Sequence, residues 1–379
     1  MMHDLLSQEG IQALIAVFFT AFAITYFVIP SILEVAYKKQ LFDIPDHRKV
    51  HVKPIPSLGG IGIFIGVIIS IILFSSAAQY SFYKFLIAAY LVLFFIGLKD
   101  DLIIMRTRYK LIIQVSVAIV LVISGLRFEN FHGILGLYEL PYWLSFTVSL
   151  IFIIGITNAF NLIDGIDGLA AGLGIINCIT FGCLLFIFEQ QANAVLAFAV
   201  AGAMVAFLRY NFGKYPNKIF MGDTGSLLLG LTISVLAISF VNISPEVAAA
   251  RFGFISPPIV ALAIIIIPVF DTLRVMIVRM MEGKSPFRPD KNHIHHTFLE
   301  AGLTHKTSSL ILYGINLLLI FAVLFLRSNT TFFLVFTLLI LGALIVQGFI
   351  LLRFSLKSSK VSNLRAQARQ LRGKKQYLK

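Results

Sequence analysis

Residues 142–188, YWLSFTVSLIFIIGITNAFNLIDGIDGLAAGLGIINCITFGCLLFIF, hold the pattern from which the rest of the chain can be read. Two apolar runs, 142–159 and 170–188, flank the polar stretch Asn158-Ala-Phe-Asn161-Leu-Ile-Asp164-Gly-Ile-Asp167-Gly168-Leu. A helix that crosses a bilayer needs about 20 apolar residues, and each run is close to that length. Nine further runs of the same kind follow the chain at about 10–33, 58–77, 85–98, 111–126, 194–208, 225–241, 254–273, 309–326 and 331–352, the 85–98 run being the shortest. With 58% of its 379 residues hydrophobic and 13% charged, the chain has apolar residues for all eleven and none to spare for a large soluble domain. The expected fold is therefore an all-α polytopic membrane protein with about 11 transmembrane helices.

If every run crosses, alternate connections lie on opposite sides, and 27 of the 31 lysines and arginines then fall on one side. Lys84, Arg127, Arg251 and Arg327 are left for the other. Basic loops stay in the cytoplasm, so the N-terminus is expected outside and the C-terminus inside. Met1 to Gln8 carries no basic residue of the kind that opens a cleavable signal, so the first run is expected to be retained. The formal charge of +13 thus reports topology, with no nucleic-acid partner implied. The tail 357–379 reads as a basic cytoplasmic segment attracted to anionic lipid. Cys178 and Cys183 lie in one apolar run, where reduced thiols act as small packing residues.

The informative polar residues avoid the run interiors and gather in the connections assigned to the cytoplasm. A transporter or flippase would place charges along a mid-membrane path and show inverted repeats, and neither is evident. Lys99-Asp100-Asp101 ends the third run and precedes Arg106, Arg108 and Lys110. Two adjacent carboxylates stay ionised only beside a cation or basic partners. Asn161 and Asp164, three apart, share a helix face, while Gly165 and Gly168 allow a break that turns Asp167 the same way. This loop has no basic residue, and its oxygens suit Mg²⁺ or phosphate-bound Mg²⁺, with Mn²⁺ as a substitute ion. Phe220-Met-Gly222-Asp223-Thr224-Gly225-Ser226 opens the eighth run, where Asp223 or Thr224 is expected to cap the helix and Asp223 to bind metal near a phosphate. The longest internal connection carries Arg288 and then His293-Ile-His295-His296. Three histidines in four residues could bind Zn²⁺, but nothing completes such a site, and donation to phosphate or sugar fits better.

These four segments, in this order, resemble the polyprenyl-phosphate N-acetylhexosamine-1-phosphate transferases, and the resemblance covers most of the chain. Asp100, Asp101, Asn161, Asp164, Asp167, Asp223, His293, His295 and His296 match that family's motifs, and Lys110 matches its basic residue after the Asp pair. The resemblance implies a single integral-membrane catalytic domain over 1–356, in the inner (cytoplasmic) membrane with its active site on the cytoplasmic face. It implies transfer of a sugar-1-phosphate from a UDP-N-acetylhexosamine to undecaprenyl phosphate, giving a lipid-linked diphosphate sugar and UMP and starting a cell-envelope polysaccharide. Ser285-Pro-Phe and His-Ile-His-His look like the branch that uses UDP-N-acetylglucosamine, whereas the UDP-MurNAc-pentapeptide branch usually has three consecutive histidines.

In this reading Asp223 is the principal metal ligand, assisted by Asp164 or Asp167, and Asp100 keeps the acceptor phosphate ionised. Asp101, Lys110, Asn158, Asn161, Arg288 and the histidines orient phosphates, uridine and sugar. Direct attack by the lipid phosphate and a two-step route through an aspartyl nucleophile both remain open. Asp271 and Arg274, one turn apart, are read either as an ion pair or as part of the site. A homodimer is compatible with the sequence. The charge asymmetry predicts that 157–169 and 274–308 face the cytoplasm. Cysteines introduced at Ser285 and Ser328 of a Cys-free variant should label from opposite faces, and labelling of both from outside would contradict the topology.

Overall fold

Nearly every apolar run becomes a helix because a backbone in lipid must satisfy its own N–H and C=O groups. The computed structural model describes residues 8–42, 54–75, 80–103, 105–134, 136–252, 256–285 and 293–325. Within them lie α1 (Gln8–Lys39), α2 (Gly59–Phe74), α3 (Tyr80–Leu102), α4 (Thr107–Ile123), β1 (Asn130–Ile134) and β2 (Leu137–Glu139). There follow α5 (Tyr142–Ile163), α6 (Leu169–Ile187), α7 (Gln191–Asn211), α8 (Gly222–Val241), α9 (Pro245–Phe252), α10 (Pro257–Met281), α11 (Ile294–Glu300) and α12 (His305–Phe325). Among the described residues α1, α5, α6, α7, α8, α10 and α12 are long and apolar enough to cross a membrane, so the protein is a mostly helical, multi-pass membrane protein. The 331–352 run and the 357–379 tail lie outside the described residues.

One part of the all-α expectation is corrected. The connection after α4 forms a hairpin, with Asn130 opposite Glu139 and Ile134 opposite Leu137 in antiparallel strands. Five- and three-residue strands are too short to show an alternating pattern against the apolar background. The short α9 between α8 and α10 was likewise hidden in a connection.

At the centre stands α8, enclosed by α2, α3, α5, α6, α7 and α10, with 94% of its most apolar window buried. A helix apolar on every face belongs in that position. Two of its mid-helix hydroxyls are satisfied locally, Thr232 donating to the Leu228 carbonyl at 2.8 Å and Ser234 to that of Gly230 at 2.8 Å. Glycines let its neighbours approach: a Cβ on Gly60 would lie 2.3 Å from the Gly225 nitrogen, and one on Gly97 2.5 Å from the Thr224 Cα.

Two spanning helices contain proline, which removes the N–H due to the carbonyl four residues earlier. In both, a side chain from another helix covers that carbonyl. Pro30 in α1 leaves the Tyr26 carbonyl open, and the Tyr210 hydroxyl of α7 donates to it at 2.9 Å. Pro268 in α10 leaves that of Ile264, to which Asn316 of α12 donates at 3.2 Å. The amide of Asn177 in α6, oriented with its nitrogen toward α10, reaches the same carbonyl at 2.8 Å. Asn316 also donates to Ala263 at 3.2 Å, so α6, α10 and α12 are tied together at the bend. Because Asn177 still covers the Ile264 carbonyl, Asn316→Leu forfeits the net worth of its bonds without stranding an acceptor and should lower stability by about 0.5–1.5 kcal/mol. Thermal unfolding in detergent checks this, and an unchanged midpoint would contradict it.

Candidate active site

The site grows from the first turn of α8. Every helix N-terminus offers N–H groups that the helix itself cannot bond. Here the acceptor is Asp101, at the end of α3: its Oδ1 receives the Asp223 N–H at 2.7 Å and its Oδ2 the Thr224 N–H at 3.0 Å. The Thr224 hydroxyl adds a bond to Oδ2 at 2.6 Å. The expectation that Asp223 or Thr224 caps α8 is corrected, because the cap comes from another helix. Gly222 makes room for it, with φ of +71° and no side chain where a Cβ would lie 2.6 Å from both Asp101 oxygens and 2.3 Å from the Ser57 carbonyl. The preceding strand-like segment is fixed by Phe220 N–H to the Pro56 carbonyl at 2.8 Å and Gly60 N–H to that of Met221 at 2.9 Å.

Relieved of capping, the Asp223 carboxylate joins a cluster drawn from four helices. Asn161 of α5 donates to its Oδ1 at 2.6 Å and to the Ser226 hydroxyl oxygen at 2.8 Å. Lys110 of α4 pairs with its Oδ2 and lies 3.5 Å from the Asp100 Oδ2. Asp100 in turn accepts the Met105 N–H at 2.6 Å, which fixes the turn between α3 and α4. Asp164, at the C-terminal cap of α5, has no hydrogen bond or ion pair among the described residues. Burial, and then the charges of Asp223, Asp101 and Asp167, push its pKa well above the usual carboxylate range. A carboxylate so placed is costly to ionise without a cation. Among the described residues no three His, Cys, Asp or Glu side chains converge as a metal cage. Mg²⁺ needs none, since it takes one or two carboxylates and completes its shell with phosphate oxygens and water. Asp164 and Asp223 are the pair whose chemistry fits it.

Asp167, read from the sequence as a further metal ligand, receives Lys218 at 2.5 Å and lies 3.3 Å from the His305 Nδ1. Burial alone would raise its pKa, but these two partners hold it below the usual range. Its loop is gripped from three sides. The Gly168 N–H donates to Asn211 Oδ1 at 2.6 Å, the Ser309 hydroxyl to the Asp167 carbonyl at 2.9 Å, and the Tyr313 hydroxyl to the Gly168 carbonyl. Lys218, His305 and Asn211 were not anticipated, since Lys218 and His305 lie 51 and 138 residues from Asp167 and no local spacing links them to it. Asn158 stands apart from the carboxylate cluster, joining α5 to α4 through Gln114 Oε1 at 2.7 Å.

Of the histidines, His293 is buried at the start of α11, with Nδ1 2.9 Å from Asp271 Oδ2. His295 and His296 follow within α11, where the His296 N–H donates to the His293 carbonyl at 3.0 Å. Arg288 lies outside the described residues. Arg274 approaches Asp271 Oδ1 at 3.7 Å, so the Asp271–Arg274 ion pair is present and includes His293 as well.

The model for glycosyl transferase family 4 matches residues 83–241, the segment that carries Asp100, Lys110, Asn161, Asp164 and Asp223. A Bacillus subtilis (strain 168) protein named probable undecaprenyl-phosphate N-acetylglucosaminyl 1-phosphate transferase is 33% identical over 344 residues, covering 89% of this chain and 93% of that one. The chain belongs to glycosyl transferase family 4. Other members of family 4 are similar over much of their length. The Escherichia coli (strain K12) undecaprenyl-phosphate alpha-N-acetylglucosaminyl 1-phosphate transferase is 33% identical over 74% of each chain. The Mycobacterium tuberculosis (strain ATCC 25618 / H37Rv) decaprenyl-phosphate N-acetylglucosaminephosphotransferase is 33% identical over 78% of each.

The geometry separates the two aspartates that bracket the α8 terminus. Asp101→Ala removes a helix cap and should cost about 0.5–2 kcal/mol of stability. Asp223→Asn keeps the cap and an oxygen for Asn161 while giving up the Lys110 ion pair, so it should destabilise less than Asp101→Ala. Equal destabilisation by the two would contradict the division of roles.

Proposed function

We propose that this chain transfers N-acetylglucosamine-1-phosphate from UDP-N-acetylglucosamine to undecaprenyl phosphate, releasing UMP and starting a cell-envelope polysaccharide at the cytoplasmic face of the inner membrane. The observation that carries the reading is the Asp100–Lys110–Asp223–Asn161 cluster beside the unpartnered Asp164, set where spanning helices end. A phosphate carried by a lipid and a diphosphate carried by a soluble nucleotide can meet at such a boundary. The names of the relatives and the His-Ile-His-His segment both favour N-acetylglucosamine as the sugar.

In the reaction an oxygen of the lipid phosphate bonds to the phosphorus that bears the sugar, and the phosphoanhydride to the uridine side breaks. UMP leaves with the bridging oxygen and its electron pair. Repulsion between acceptor and donor phosphates is the main obstacle, and most catalysis of this kind is positioning and charge compensation. Asp164 and Asp223 would hold Mg²⁺, or Mn²⁺ in its place, which when bound offsets the diphosphate charge. Lys110, partly buried between Asp100 and Asp223, carries an ammonium that can turn to an incoming phosphate oxygen. Asp100 sits beside it to accept a proton from an acceptor phosphate that arrives protonated. Asn161 holds the Asp223 carboxylate in place through its 2.6 Å bond. His295, His296 and Arg288 belong to the segment assigned to the donor, where unpaired sugar hydroxyls and amides would each cost about 1–3 kcal/mol.

Purified protein given UDP-N-acetylglucosamine, undecaprenyl phosphate and Mg²⁺ should release UMP, and chelation should stop it. Asp223→Asn should lower turnover by about 10²–10⁴-fold while remaining folded. Normal Mg²⁺-dependent turnover in that variant would remove Asp223 from the metal site. Equal or better use of UDP-MurNAc-pentapeptide would overturn the choice of sugar while leaving the reaction class.

A further inference from the structure

We propose that Asp271 and His293 are positioning residues that lock α11 against α10 and so set the place of His295 and His296 for donor binding. The inference rests on the assignment of a UDP-sugar donor above. Asp271 is 1% exposed and His293 5%, so neither is placed to meet a soluble nucleotide directly. A buried carboxylate is costly unless its oxygens are paired, and this one is fully engaged. Oδ2 faces the His293 Nδ1 at 2.9 Å, while Oδ1 accepts the Ile294 N–H at 2.8 Å and lies 3.7 Å from Arg274.

The two hydrogen bonds reach across from α10 to the start of α11, while Arg274 belongs to α10 itself. A seven-residue helix has too few internal bonds to hold itself together in isolation, because nucleation consumes most of what it gains. Its orientation comes from outside, and the Asp271 carboxylate supplies two of the contacts, at the His293 ring and the first helical N–H, with Phe298 buried further along. With Nδ1–H donating to Asp271, the ring is fixed in one tautomer and one rotation. From that fixed point the helix backbone continues through His295 and His296. Ile294, 3% exposed, adds an apolar anchor at the same point.

The test uses the full-length protein in detergent, with UMP release measured against UDP-N-acetylglucosamine and lipid phosphate varied separately. His293→Ala should raise the donor KM by about 10-fold or more with kcat and the lipid-phosphate KM far less affected. His293→Asn places an amide N–H where Nδ1–H stood and should recover at least about 5-fold of that loss, because the bond to Asp271 is restored without an imidazole. Asp271→Asn should raise the donor KM as His293→Ala does, and combining the two should add little, since one acts through the other. If Asp271→Asn does not fold, the pair of His293 variants carries the decision. An Asn variant no better than Ala, or equal loss in both substrates, would overturn the positioning role. A wild type that releases no UMP would overturn the assignment of the reaction and this inference with it; a wild type that turns over with the wrong pattern among the variants overturns the inference alone.

Discussion

The N-terminus of α8 is the constraint around which the site is arranged. A central helix with almost no exposed surface cannot leave its first N–H groups to water, and Met221 at its N-cap position has no side-chain acceptor to offer them. Asp101 fills the need from α3, and this decides much else. It fixes the end of α3 against the start of α8, demands glycine at 222, and puts Asp100 one residue away facing α4. The arrangement recurs at α11, whose first N–H is taken by Asp271 of α10. In both places a carboxylate from a neighbouring helix does what a Ser or Asp at the helix's own terminus does in soluble proteins. A cap delivered from another helix joins two elements as well as ending one.

Because Asp101 is committed to backbone donors, the other carboxylates are left crowded, with two lysines serving them among the described residues. Lys110 serves Asp100 and Asp223, and Lys218 serves Asp167. Asp164 has neither. The resulting excess of negative charge in a partly dehydrated cleft would destabilise a purely structural core. It is reasonable only where a cation or a proton is expected to arrive, and it accords with the raised pKa of Asp164, which has no partner among the described residues.

The helices were legible in the sequence because a membrane imposes one rule on every span, and runs such as 142–159 and 225–241 obey it without exception. The four motifs were legible too, since Asp100, Asn161, Asp164 and Asp223 lie at the ends of those runs, where polar residues stand out. What stayed hidden were partners contributed from far along the chain. Nothing about Lys218 or His305 marks it as a ligand of Asp167, and nothing about Asp271 reveals that its second oxygen is spent on a main-chain N–H of α11. The hairpin at 130–139 was missed for a different reason, its strands being too short to set up a period. The assignment of the α8 cap to Asp223 or Thr224 failed because local capping rules assume that a terminus is surrounded by solvent and its own neighbours.

The proline bend in α1 imposes an order on sequence change that the bend in α10 does not. While Tyr210 and Asn316 are present, replacing Pro30 or Pro268 merely restores an N–H to a carbonyl that is already covered. Replacing Tyr210 first strands the Tyr26 carbonyl, whereas the Ile264 carbonyl would keep Asn177 after the loss of Asn316. For Pro30 and Tyr210 the two steps lead to the same double variant, but only one route avoids a damaged intermediate. Descendants of this chain are therefore expected to lose Pro30 before Tyr210, while Pro268 and Asn316 can be lost in either order.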